Sequence, residues 1–230
     1  MAILLAIETS SSICSVALFH DQQLLALSEL QIEKSHSSHI TVLINQMIAN
    51  CNLSMMDISA VAVSSGPGSY TGLRIGTSIA KGLCFSLNLP LLEVSTLHAL
   101  ASAQIQITPQ AEKFLFCPML DARRMEVYTC IVNHLGEEQF PIKPVILSSS
   151  TFEEYLVKQP ILFFGSGATK FQTLIGNHSN GIFVHSLPIS AKYMGAIAYH
   201  KFNTQQYEDV AYYEPFYLKE VYITSGTKLS

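Results

Sequence analysis

The residue types best suited to chemistry lie in Ser64-Ser65-Gly66-Pro67-Gly68-Ser69-Tyr70-Thr71-Gly72-Leu73-Arg74-Ile75-Gly76. An apolar run, Ala60 to Val63, leads into this stretch, and an apolar helical pattern from Ile75 to Leu87 follows it. Glycines at the end of a strand permit positive φ and close approach, and proline stiffens the turn. The following helix start offers free N–H groups and partial positive charge, a combination that can cradle a phosphate. The spacing matches neither the Walker pattern nor Gly-x-Gly-x-x-Gly, so a turn tightened only for packing stays open as a reading. His36 and His39 stand three apart and would share a helix face, but only Glu33 is near enough to complete a metal set. They read as a polar helix start with Ser35, Ser37 or Ser38 as N-cap. No Gly-x-Ser-x-Gly elbow and no His-Glu-x-x-His run occurs, which removes the protease readings.

The elements that must position these residues can be read from composition and periodicity. The chain has 230 residues, 49% hydrophobic and 13% charged, enough apolar content for a sizeable core. Its net charge is −4, and arginine occurs only at Arg74, Arg123 and Arg124. Nucleic-acid affinity rests on Lys and Arg against phosphates, so tight RNA or DNA binding by this chain alone is not expected. Five scattered cysteines without a Cys-x-x-Cys pair read as reduced, mostly buried thiols of a cytoplasmic protein. The apolar start lacks a basic flank, is interrupted by Glu8 and is too short for a signal peptide or a membrane span, so residues 2–8 read as a buried strand.

Residues 14–19 and 24–30 continue that strand as a meander. An amphipathic helix over 35–51 follows, with Ile40, Leu43, Ile44, Met47 and Ile48 on one face. Strand 60–64, helix 71–87, strand 91–94 and a helix from Ser95 to Ala103 come next. The polar stretch 104–113 divides an N-terminal lobe, 1–104, from a smaller lobe, 105–230. That second lobe reads as strands 114–120, 126–132, 141–147 and 161–164, with helices over 151–158, 168–175 and 190–202. The result is an α/β architecture of mixed sheets and helices, in which both halves run from strands through a helix to a strand ending in glycines.

Three blocks resemble the TsaB (YeaZ) family: Ile3-Leu4-Leu5-Ala6-Ile7-Glu8-Thr9-Ser10, Ser65 to Gly76, and Asp121-Ala122-Arg123-Arg124-Met125-Glu126-Val127-Tyr128. The match runs in order over roughly the first 130 residues and more loosely to Tyr217-Leu218-Lys219. The resemblance implies a two-lobed fold of the actin/Hsp70/sugar-kinase type, each lobe ribonuclease H-like. It also implies a non-catalytic subunit of the machinery that places threonylcarbamoyladenosine in tRNA. Such a subunit pairs with the catalytic relative TsaD, or with a second copy of itself in the absence of TsaD. The ATPase TsaE joins the pair, and tRNA is met only through the complex. The alternative from another class is an ATP-dependent small-molecule kinase of the sugar-kinase type.

The same resemblance locates candidate sites. A nucleotide cleft would draw on Glu8, Thr9, Ser10, Gly66, Gly68, Asp121, Gly165 and Gly167. Asp121-Ala122-Arg123-Arg124 replaces the usual glycine-rich second phosphate turn, so no resident cofactor is expected, with ATP the one candidate. Asp121 with Arg123 or Arg124 reads as a structural ion pair or an interface feature. The catalytic relative's two metal-binding histidines correspond to Thr96 and Leu100, and its carboxylate ligand falls at Ser190-Ala191-Lys192, so no metal is expected. For pairing, Gly72, Gly76 and Ala80 form a small-residue ridge on helix 71–87 that would admit a partner helix, with packing of both helical stripes on the chain's own sheet as the other reading. The expected interface comprises His39, Leu43 and Met47 with Leu73, Gly76, Thr77, Ile79, Ala80 and Leu83. On this reading, Gly76→Arg abolishes pairing and leaves the monomer folded.

Overall fold

The computed structural model describes residues 1–31, 36–185 and 187–216, with the side chains of 36–38 outside that description. The N-cap candidates Ser35, Ser37 and Ser38, the side chain of His36, and the loose match at Tyr217-Leu218-Lys219 therefore lie outside the described residues.

Two five-stranded sheets repeat one pattern. The first contains β1 (Ile3–Glu8), β2 (Cys14–His20), β3 (Gln23–Leu30), β4 (Ala60–Gly66) and β5 (Leu91–Ser95), in the order β3-β2-β1-β4-β5. Its first three strands form an antiparallel meander, and β4 and β5 then add in parallel. Parallel addition requires crossovers, supplied by α1 (His36–Asn50) and α2 (Tyr70–Leu87). After α3 (Thr96–Ile107) the second sheet follows, with β6 (Leu115–Asp121), β7 (Glu126–Val132), β8 (Glu138–Ile146), β9 (Ile161–Phe164) and β10 (Gly181–Phe183). Its order is β10-β9-β6-β7-β8, again antiparallel for the first three strands and parallel for the last two. Its crossovers are α4 (Glu153–Leu156) and α5 (Ala168–Ile175).

Strand β1 is covered on both faces, which explains its unbroken apolar run. Leu5 and Ile7 pack with Ile40, Leu43, Ile44, Met47 and Ile48 of α1 and with Ala80 and Cys84 of α2. Leu4 and Ala6 face Phe19, Leu92, Val94 and Ala198. Helix α3 joins the sheets: its Leu97, Leu100 and Ala101 pack with Phe116, Leu120, Cys130 and Phe164 of the second one.

The chain then returns to the first sheet, and this departs from the division at residues 104 and 105. The N–H of Ala191 donates to Ser15 Oγ at 3.0 Å, and a Cβ on Gly195, the first residue of α6 (Gly195–Asn203), would strike the Phe19 ring. Lys201 pairs with Glu93 at 3.2 Å, and the N–H of Phe216 reaches the Ser65 carbonyl at 2.8 Å.

Three other elements differ from expectation. The helix expected over 151–158 is a single turn, because Phe152 at φ 64 bends the chain at its start. The one expected over 190–202 splits into a short turn, Ala191–Tyr193, and α6. Strand β10 has only three residues, too few for an alternating pattern to register.

Candidate functional site

The Gly66–Gly68 turn and the start of α2 lie against the turn that ends β1. Ser69 caps α2, its Oγ accepting from the Gly72 N–H at 3.2 Å. The Ser69 N–H donates to the Ser10 carbonyl at 2.6 Å. A Cβ on Gly68 would meet the Ser10 carbonyl oxygen, one on Gly72 the Thr9 carbonyl oxygen, and one on Gly76 the Thr9 hydroxyl. The small-residue ridge thus serves the chain's own β1–β2 turn. It is not the seat of a partner helix.

That turn carries buried polar atoms. Glu8 is fully buried, and its Oε1 accepts from the Ser10 N–H at 2.6 Å. Burial pushes its carboxyl above the ordinary value of 4.5, and the hydrogen bonding at Ser10 pulls only partly back. The Thr9 N–H donates to Ser64 Oγ at 3.3 Å. Glu8 Oε2, Thr9 Oγ1 and Thr77 Oγ1 are buried without a hydrogen-bond partner among the described residues. The glycines of the Ser64–Gly76 stretch therefore have a packing role of their own, holding the start of α2 against Thr9 and Ser10.

The corresponding turn of the second sheet is closed by different means. Gly165 has φ 101, and a Cβ there would meet the Met119 carbonyl oxygen. The Gly167 N–H donates to that same carbonyl at 2.9 Å, and Ser166 Oγ accepts from the Asp121 N–H at 3.1 Å. Asp121 Oδ1 takes Lys170 Nζ at 2.7 Å and the Arg123 backbone N–H at 2.6 Å. The hydrogen bond from Lys170 holds the Asp121 carboxyl below the usual carboxylate range. The ion pair expected within 121–124 is therefore made with Lys170, 49 residues away, and not with either guanidinium. The eight candidate cleft residues thus fall into two clusters, one at each sheet.

Burial also redraws the candidate pairing face. Leu43, Met47, Leu73, Gly76, Thr77 and Ala80 are buried within this chain, so none is presented to a partner. The expectation that Gly76→Arg spares the fold fails for the same reason: the new side chain would be driven into Thr9. His39, Ile79 and Leu83 are half-buried. The outward side of α2 instead carries Tyr70, Arg74, Ser78 and Phe85, the last 86% exposed. Arg74 Nη1 donates to Tyr70 Oη at 3.1 Å, and its guanidinium lies 5.4 Å from that ring's centroid. A shallow groove of about 450 Å³ runs along Tyr70, Arg74, Ile75 and Ile79. The sequence signal for this face was available, since 70, 74 and 78 are spaced at i, i+4 and i+8.

The positions aligned with metal ligands are part of the core. Thr96 and Leu100 are buried on α3, and Ser190 and Ala191 are buried against the first sheet. Among the described residues no group of three or more His, Cys, Asp or Glu is placed to hold a metal ion. No described helix is long and apolar enough to cross a membrane.

The repeated sheet order and the paired strand-to-helix turns define a two-lobed α/β fold shared with sugar kinases. An inorganic polyphosphate/ATP-glucomannokinase from Arthrobacter superposes with a TM-score of 0.53 over 89% of this chain and 100% of its own, at 11% identity. YeaZ from Pseudomonas aeruginosa superposes with a TM-score of 0.76 at 24% identity, covering 95% of this chain and 100% of its own. In sequence, the profile of the TsaD family, tRNA N6-adenosine threonylcarbamoyltransferase, matches residues 30–212. The tRNA threonylcarbamoyladenosine biosynthesis protein TsaB of Bacillus subtilis is 32% identical over 175 residues, 75% of this chain and 74% of its own length. TsaB of Haemophilus influenzae is 39% identical over 125 residues, 54% of this chain and 51% of its own. The chain belongs to the TsaB (YeaZ) family.

Proposed function

We propose that this chain serves the biosynthesis of threonylcarbamoyladenosine in tRNA as a non-catalytic pairing subunit. It partners a TsaD-type threonylcarbamoyltransferase, supports recruitment of a TsaE-type ATPase, and meets tRNA only through that assembly. The observation that supports this reading is the seating of Gly68, Gly72 and Gly76 on Ser10 and Thr9, which gives these glycines a packing role within the chain itself. Thr96 and Leu100, at the positions of the relative's histidines, supply no strong metal ligand.

The outward side of α2 supplies the complementary property. Tyr70, Arg74 and Phe85 belong to residue types enriched at protein interfaces, and they stand on a helix whose other side is fixed to the core. A stable interface buries about 1,600 Å² in total, so neighbouring α1 residues such as Val42, 48% exposed, belong to the proposed face as well. Calorimetric titration of the isolated chain with ATP and magnesium tests the non-catalytic half of the proposal. The expected result is no saturable heat; tight binding with turnover of a small acceptor would establish the kinase alternative.

A further inference from the structure

We propose that the Ala122–Met125 turn is a docking element for an acidic segment of a partner protein, gripped by the guanidiniums of Arg123 and Arg124. The turn joins β6 to β7 and is closed by the Ala122 N–H on the Glu126 carbonyl and the Glu126 N–H on the Arg123 carbonyl, both at 3.1 Å. Arg123 and Arg124 adopt φ 69 and φ 47, a left-handed pair that glycine or asparagine would fill with less strain. The fold gains nothing visible from arginine there. Both side chains are exposed, and neither guanidinium has an ion-pair partner among the described residues. The adjacent carboxylate, Asp121, is already engaged by Lys170 and by the Arg123 backbone. Asp121 and Lys170 therefore brace the turn and leave two guanidiniums free for an external anion.

Guanidinium forks suit carboxylate and phosphate alike, and the surroundings favour carboxylate on a protein. Met125, 42% exposed, adds an apolar contact beside the arginines, and Arg with Met is a protein-interface composition. Asp121 and Glu126 flank the turn, and the chain carries net charge −4 with no other arginine than Arg74. A nucleic-acid backbone would require a broader positive field than this.

With three arginines in the chain, the arginine Nε–Hε spectrum has three signals, and Arg74 is an internal reference. The full chain is titrated at low salt with the capped peptide Glu-Leu-Glu-Glu-Leu and, separately, with a hexauridine RNA. The peptide is expected to shift the Arg123 and Arg124 signals saturably, leave Arg74 unmoved, and saturate at least tenfold below the RNA. Unmoved Arg123 and Arg124, equal movement of Arg74, or tighter saturation by RNA overturns the proposal. Replacing both arginines by lysine keeps the charge and loses the forks. It is expected to weaken peptide binding, read from the shifts of backbone amides in the turn, about tenfold; unchanged affinity would reduce the effect to nonspecific charge and overturn it. Replacing both by glycine is expected to raise the unfolding midpoint and abolish the response; a retained response also overturns it.

Discussion

The two sheets share one strand order, yet the turns at the ends of β1 and β6 are closed in opposite ways. At β1 the closure is buried: the Gly68 turn and α2 together lay three glycines on Thr9 and Ser10, and the acid, Glu8, is fully buried. At β6 it is exposed and ionic: Asp121 pairs with Lys170 beside two projecting arginines. The helices differ to match, 18 residues for α2 against eight for α5. A duplicated frame has one lobe in which a long helix is anchored rigidly with its outer side available, and one in which a short helix braces a charged turn. The contrast teaches that the glycines of a strand-to-helix turn can serve close packing against the chain's own backbone. What stands opposite the glycines decides.

The largest effect should come from breaking the buried closure. Gly72→Ala places a methyl against the Thr9 carbonyl, and the expected loss is about 3 kcal/mol in urea unfolding. Gly82→Ala on the same helix meets nothing within 4 Å and should instead gain about 0.5–1 kcal/mol. A comparable loss at both sites would mean that helix α2 is not seated on Thr9.

Next in size is the buried acid. Because its folded-state pKa is raised, Glu8 costs no ionisation penalty below its ordinary 4.5 and loses stability as pH rises from there towards the folded value. Glu8→Gln should therefore melt near the parent at pH 4.5 and several degrees above it at pH 7.5. A pH-independent difference would contradict the placement of Glu8. The smallest effect belongs to the exposed closure: Lys170→Met should cost less than about 1 kcal/mol, and 0.5 M salt should erase most of that difference.

Much of this frame was legible in the sequence, because β1, β4 and β9 are short apolar runs bounded by turn residues and α1 has a clear apolar stripe. Partners distant in the chain were not. The spacing of Gly72, Gly76 and Ala80 announces close approach of something, but nothing local identifies it as Thr9, more than sixty residues earlier. Asp121 was matched with neighbouring arginines because the sequence showed them together; their left-handed backbone turns the guanidiniums out, and Lys170 arrives from α5. The return of residues 190–216 to the first sheet depends on Ser15, Phe19 and Ser65, contacts with no periodic signature.

On the proposed function, the outward side of α2, and not its glycine ridge, is the surface through which this chain pairs. Sedimentation of an equimolar mixture with the threonylcarbamoyltransferase of the same organism tests it most directly. The expected result is a one-to-one complex that is dispersed by Arg74→Glu with Phe85→Asp, a double change at exposed positions that leaves the melting temperature of the isolated chain unchanged. No complex, or one that survives the double change, would contradict it.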